Sequence, residues 1–366
     1  MNKERMVAEF IELSLIDSIS FQEREICDLL TKKLKELGFK VEEDHAGKFY
    51  NGNAGNLYGI LKGTKEGSVL FSSHMDTVEP GFNKSPRIKG NRIEASGGSI
   101  LGADDISGLV EILEGIRYIE ENHIEHKDIE IIFPIAEEVY TKGSKVFDYS
   151  KVKSKEAYIL DLSGPIGKGA YLAPSLIKFS AVIHGKAAHS GANPELGINA
   201  IEIAGKFISA IQQGHVDEVS TINIGSIRGG EMTNIVCDHV LMQGEIRSHD
   251  HQKALEHNAR LEKTLDEICW SYGAHNDYVS QIELVAYEND MNSKCVQDFI
   301  TSCKELNIEP TFMKTFGGSD ANSFMEHGIE SLVISSGMYE THSTKEYTII
   351  DDLIDGANLV AKLIQK

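Results

Sequence analysis

His74 and Asp76 stand at the end of an apolar, β-prone run, Val69-Leu70-Phe71-Ser72-Ser73-His74-Met75-Asp76-Thr77. An imidazole there can ligate a metal. On a strand, a residue two positions later faces the same way, so the spacing predicts that Asp76 holds the other ring nitrogen of His74. That contact would fix the tautomer and raise basicity, as metal-ligating histidines require. One H-x-D arises often by chance, but apolar runs end in acids again at Leu101-Gly102-Ala103-Asp104-Asp105, Phe133-Pro134-Ile135-Ala136-Glu137-Glu138 and Tyr158-Ile159-Leu160-Asp161. Open α/β sheets collect ligands at the carboxyl ends of their strands. Four such endings, all with metal-type donors, point to one metal centre.

The elements that must position these residues read as follows. Ser20-Phe21-Gln22-Glu23 has the form of a capping box, and Ile26, Leu29, Leu30, Leu34 and Leu37 follow at helical spacing until Gly38 stops the helix. Strands are expected near 39–41, 57–61, 69–72, 129–135 and 157–160. A helix buried on one face follows Asp105, which stands where an N-cap would. This alternation implies an α/β fold with a mixed, largely parallel sheet flanked by helices. Turn residues cluster at Ser163–Gly169, a plausible hinge and boundary. From about Ser175 to Tyr287 the order becomes strand, helix, two strands, helix, strand, a small α+β module of ferredoxin-like pattern. Helix and strand alternation then resumes to the end. The expected organisation is therefore a catalytic domain in two parts, 1–173 and 288–366, with an inserted lid or dimerisation domain at 174–287.

At 366 residues the chain exceeds the usual size of a single core, which also argues for two domains. A net charge of −20 argues against nucleic acid and anionic membrane as partners, because phosphate recognition needs clustered Lys and Arg. Neither a signal peptide nor a membrane-length apolar stretch stands out. Five scattered cysteines, without a C-x-x-C pair, read as reduced thiols of a cytoplasmic protein.

Taken together, the motifs resemble the di-zinc exopeptidases that include tripeptidase T, the glutamate carboxypeptidases and the aminoacylases. Ser73-His74-Met75-Asp76-Thr77-Val78, Leu101–Asp105, Glu137-Glu138, Asp161, Gly185–Gly191 with His189, Thr233-Asn234-Ile235, Arg247, Gly317–Asn322 and His342-Ser343 follow in the family's order. The Asp-Asp segment is closest to the tripeptidase T form, and the resemblance covers essentially the whole chain. It implies the zinc exopeptidase fold and two Zn2+ ions, with Co2+ or Mn2+ also suited to the donors. Asp104 would bridge the ions, His74 and Asp161 would complete one, and Glu138 and His342 the other. Glu137 would be the general base and Asp76 would orient His74. His189 would donate to the oxyanion, reaching in from a partner subunit, while Arg247 and Asn234 would bind the substrate. Hydrolysis of short peptides is the implied activity and a homodimer through the insert the implied assembly. An N-acyl amino acid amidohydrolase, or an inactive binding protein of the same fold, is the alternative.

Some of these positions also have plain structural uses. Asp105 is expected to cap a helix. Arg247 could pair with Asp250 or Glu245, and His189 could be a surface residue. His123, His126, His249, His251 and His257 are expected at the surface. Ile106 stands where tripeptidase T-like chains usually carry Lys after the acid pair.

Overall fold

The apolar runs become the central strands of a nine-stranded sheet in the computed structural model, which describes residues 1–366. Asp128–Phe133, Ser68–Ser72, Glu156–Leu162 and Glu330–Ser335 lie side by side and parallel. Their residues are buried on both faces, Leu70, Phe71, Ile131, Ile132, Ile159 and Leu160 among them. Such continuous apolar runs are what a parallel sheet covered by helices requires. Antiparallel strands extend both flanks: Leu57–Leu61 and Lys40–Glu43 on one, Lys168–Ala173 on the other.

The helices Lys3–Ser14, Ala103–Glu121, Lys294–Glu305 and Ile350–Ile364 bury their apolar faces in the same core. Ala103–Glu121 and Ile350–Ile364 approach closely at Gly115, where a Cβ would lie 2.8 Å from Val360 Cγ1. Each fully buried Ile, Leu or Phe in this core contributes about 1.5–3 kcal/mol. A small antiparallel sheet, Met338–Tyr339, Tyr347–Ile349, Arg92–Ser96 and Ser85–Lys89, has no counterpart in the sequence reading. Ser85–Lys89 is largely exposed and carries no alternation that would mark it as a strand.

The chain divides into two compact units: Met1–Tyr171, Glu288–Thr315 and Ser319–Lys366 form one, Leu172–Tyr287 with Phe316–Gly318 the other. The second unit is a five-stranded antiparallel sheet. Its order is Gly214–His215, Ser220–Gly229, His239–Ser248, Ser175–His184, His275–Leu284. Ile177, Phe179, Ala181 and Ile183 alternate along its fourth strand and pack with the helices Ala200–Ala210 and His251–Ser271. The anticipated strand–helix–strand–strand–helix–strand order is present, with the two-residue strand Gly214–His215 added.

Several local expectations fail for identifiable reasons. Ser20–Glu23 is no capping box: the helix is Arg24–Glu36, with no side-chain cap, because Ser20 and Glu23 hydrogen bond elsewhere. Leu101–Asp105 is not a strand end but the entry to the helix Ala103–Glu121, whose N-cap is Gly102 at φ +78°. Asp104 and Asp105 depart from helical φ/ψ, so the regular turns begin after Asp105, but its Oδ1 has no hydrogen-bond partner and caps nothing, while its Oδ2 accepts from the His74 amide at 3.2 Å. The Ser163–Gly169 turns are not a boundary, since Gly169 and Ala170 pair with Ile334 and Val333 within the first unit. Phe316–Gly318, placed by the reading with the C-terminal part, groups with the insert, where the Phe316 carbonyl accepts from Arg247. His126 is buried, bonded to the Lys127 carbonyl and to Glu120, and is no surface residue.

Candidate active site

The first unit gathers its acids and imidazoles from the ends of parallel strands, from the entry of the helix Ala103–Glu121 and from the loop after Met338–Tyr339. Beyond Ser72 the chain leaves the strand, so His74 and Asp76 are not strand neighbours. Their contact is made differently from the i, i+2 expectation. His74 Nδ1 donates to the Asp76 main-chain carbonyl at 2.9 Å, while the Asp76 carboxylate lies 3.5 Å away. A carbonyl can only accept, which puts a proton on Nδ1 and leaves Nε2 facing Asp104 Oδ1 at 3.1 Å.

The Asp76 carboxylate has another use. It accepts from the amides of Glu137 (2.8 Å) and Glu138 (3.2 Å) and from the Ser20 hydroxyl (2.6 Å). The turn before the acid pair is strained: Ala136 sits at φ +52°, a left-handed conformation costing on the order of 1–3 kcal/mol. Its amide is held by Glu23 Oε1 at 3.0 Å. Strain of this kind persists only where the surroundings fix the backbone, and here they fix it at the acid pair.

Two donor triads result. Ligand atoms of His74, Asp104 and Asp161 lie within 4.8 Å of one another, as do those of Asp104, Glu138 and His342. Asp104 belongs to both. His342, at φ +60° in the loop after Met338–Tyr339, lies 3.2 Å from Asp104 Oδ2 and 3.0 Å from Glu138 Oε2. Glu138 Oε1 is buried without a hydrogen-bond partner. The geometry thus offers two adjoining N/O sites around a shared carboxylate, the arrangement that a pair of divalent ions takes.

Electrostatics agree with that use. Burial, reinforced by Asp161, pushes Glu137 well above the usual carboxylate range. Burial and Asp104 do the same to Asp161 and, less strongly, to Glu138. Asp104 goes the other way: against burial, His342 and His74 hold it well below its ordinary value. His342, hydrogen bonded to Asp104 and Glu138, is pushed up to about 10. Crowded carboxylates that raise one another's proton affinity are a site in need of positive charge.

Two buried acids around this centre were not assigned from the sequence. Glu346 accepts from the amides of Leu101 (2.8 Å), Gly102 (2.7 Å) and Asp104 (3.0 Å), and so fixes the loop that presents Asp104. Nothing in Lys345-Glu346-Tyr347 signals this role. Asp320, 1% exposed, has one oxygen without a partner, and burial pushes it up to about 6. The motif Gly317–Asn322 contained it, yet gave no hint of what its side chain does.

The remaining predicted residues lie in the second unit. His189 is exposed, and its Nδ1 accepts from the amides of Gly191 and Ala192, both at 3.1 Å. The proton is therefore on Nε2, which makes His189 an outward-pointing donor. Asn234 is exposed beside it, its carbonyl accepting from Ser190. Arg247 donates to Glu245 Oε1 at 2.8 Å and to the Phe316 carbonyl at 2.7 Å, so its pairing with Glu245, not Asp250, is realised. All five cysteines are free and buried. No helix is long and apolar enough to cross a membrane.

The model of the M20 peptidase dimerisation domain matches residues 174–272. Those of peptidase family M28 and of M42 glutamyl aminopeptidase match 56–192 and 280–359. The crystal structure of an aminopeptidase PepT from Bacillus cereus is 37% identical, with a TM-score of 0.92 over 100% of this chain and 98% of that one. A tripeptidase from Staphylococcus aureus is 32% identical, with a TM-score of 0.96 and the same coverage. The uncharacterized protein YqjE of Bacillus subtilis is 35% identical over 100% of this chain and 99% of its own length. The chain belongs to the peptidase T-like M20 family of metallopeptidases, and it is a metallo-exopeptidase.

Proposed function

We propose that the chain hydrolyses short peptides in the manner of a tripeptidase, using two Zn2+ ions and Glu137 as general base. The observation that carries this is the sharing of Asp104 between two donor triads, with Glu137 buried next to Glu138. Asp104 would serve both ions, His74 and Asp161 would hold one, and Glu138 and His342 the other. When bound, the ions supply a nucleophile at neutral pH and charge to polarise the substrate carbonyl. Glu137 takes the proton of the attacking water and delivers it to the departing amine. Asp76 holds His74 through its carbonyl and the acid pair through its carboxylate.

In this reading the insert binds the peptide. Arg247 and Asn234 grip the substrate; the Nη2 contact of Arg247 to Glu245 is only 3.4 Å, one that a substrate carboxylate can replace. His189 Nε2 donates to the oxyanion. A homodimer through the insert is supported by its edge strand His275–Leu284, where Val279 and Ile282 are exposed, and by Trp270, 84% exposed on the adjoining helix. The buried free thiols suit a cytoplasmic setting.

Peptide specificity is the test. The zinc-loaded protein, assayed against di-, tri- and N-acetylated peptides, should cleave tripeptides fastest and lose activity in chelator. Preference for the N-acetylated set would replace the peptidase reading by an amidohydrolase one. No turnover with two ions bound would make it a binding protein.

A further inference from the structure

Three histidines that take no part in this chemistry share one line across the insert's sheet. His184 ends the strand Ser175–His184 and lies directly opposite His239 on one neighbour and His275 on the other. Residues directly opposite in antiparallel strands point to the same face, with Cβ atoms about 4.5–5.5 Å apart. That face is the one turned away from the insert's helices, because Ile183, the preceding residue, is buried in the core between sheet and helices.

Carboxylates already attend the row. Asp277, two residues after His275 and so on the same face, lies 2.8 Å from His184 Nε2. Asp238 lies 3.0 Å from His239 Nδ1. The His184 and His275 rings stack, with centroids 4.7 Å apart and planes 12° from parallel. The His184 side chain is 35% exposed, that of His239 56% and that of Asp277 71%. Bringing their nitrogens onto one ion needs rotation about exposed side-chain bonds, with the backbone register unchanged.

We propose that this row is a further metal site, carried wholly by the insert: His184, His239 and His275 ligate one divalent transition-metal ion, with Asp277 supplying the fourth donor. Imidazole nitrogens with one carboxylate suit zinc, copper and nickel and discriminate against magnesium and calcium. Three histidines and an acid complete a tetrahedral zinc shell. The register supplies the preorganisation, since three β-strands hold the Cβ atoms in place before any ion arrives.

The test is a zinc titration of the purified enzyme, counted beyond the ions retained after exhaustive dialysis, with magnesium in excess. Calorimetry should find one further equivalent per chain, its affinity falling as pH is lowered, because ligating imidazoles must be neutral. His184→Ala with His275→Ala should abolish that equivalent, leaving the retained ions and peptide turnover without added zinc unchanged. His239→Ala alone should weaken it by at least about tenfold. The proposal is overturned if the parent takes up no further zinc, or if the double variant takes up as much as the parent.

Discussion

The two units place polar chemistry by opposite means. In the first, most of the acids and His74 are driven into the interior, and Asp76 and Glu346 are fixed by buried partners: Asp76 by two amides and a hydroxyl, Glu346 by three amides. In the insert, His189, Asn234 and the His184 row stand exposed on an antiparallel sheet and its loops, held by few bonds. Buried charge gives fixed geometry and shifted protonation, at the cost of needing counter-charge. Exposed groups remain adaptable and cost little to keep. Fixed, buried groups suit metal and proton chemistry, and exposed donors suit contacts made only when a substrate is bound.

If that division holds, variants should separate along it. The largest effect is expected for Glu137→Gln, which keeps shape but cannot take a proton: turnover should fall by ~10²–10⁴ with two ions still bound. Metal analysis with steady-state kinetics checks both halves, and full activity would reassign the base. His189→Ala follows, with kcat lower by about 10²–10³, the usual loss of one oxyanion donor, and an unchanged metal content. An unaltered kcat would leave the insert a binding and assembly device.

Arg247→Lys should act on binding: KM is expected to rise about tenfold, near 1.4 kcal/mol, through loss of the planar fork. An effect on kcat alone would move Arg247 to the catalytic side of the comparison. The smallest effect concerns stability. Glu23, lifted by burial and by Asp76 from 4.5 to about 8, keeps its proton in the folded chain after the unfolded chain has lost it. Native stability should therefore fall as pH rises across that window. Glu23→Gln cannot ionise, so its melting temperature should gain on the parent's between about pH 5 and about pH 8. A constant difference across that range would show that Glu23 is ionised in the fold.

Much of this was legible in the sequence because side-chain type and order suffice for it. Three apolar runs marked parallel strands, and the donors after them marked His74, Glu138 and Asp161, whereas the run before Asp104 opens a helix and His342 came from the family's motif order. What stayed hidden depends on backbone amides, which every sequence offers everywhere. Glu346 and Glu23 act by accepting from main-chain amides remote in sequence, and Ser20 by donating to the distant Asp76 carboxylate, so Ser20 and Glu23 passed for a local capping box. Asp105 was misread likewise, its acceptor role toward the His74 amide being invisible at a position so well suited to capping. The Ser85–Lys89 hairpin escaped because an exposed ribbon carries no periodicity.

The Asp104 amide is bonded to a residue 242 positions later in the chain, and the second donor triad waits on His342. The insert, by contrast, closes on itself almost entirely before residue 288. During synthesis, then, the binding module can fold while the centre that cuts is still missing a ligand and a loop support. A chain interrupted before its last two dozen or so residues would carry one triad without its neighbour. Connectivity alone makes the paired triads a late product of translation.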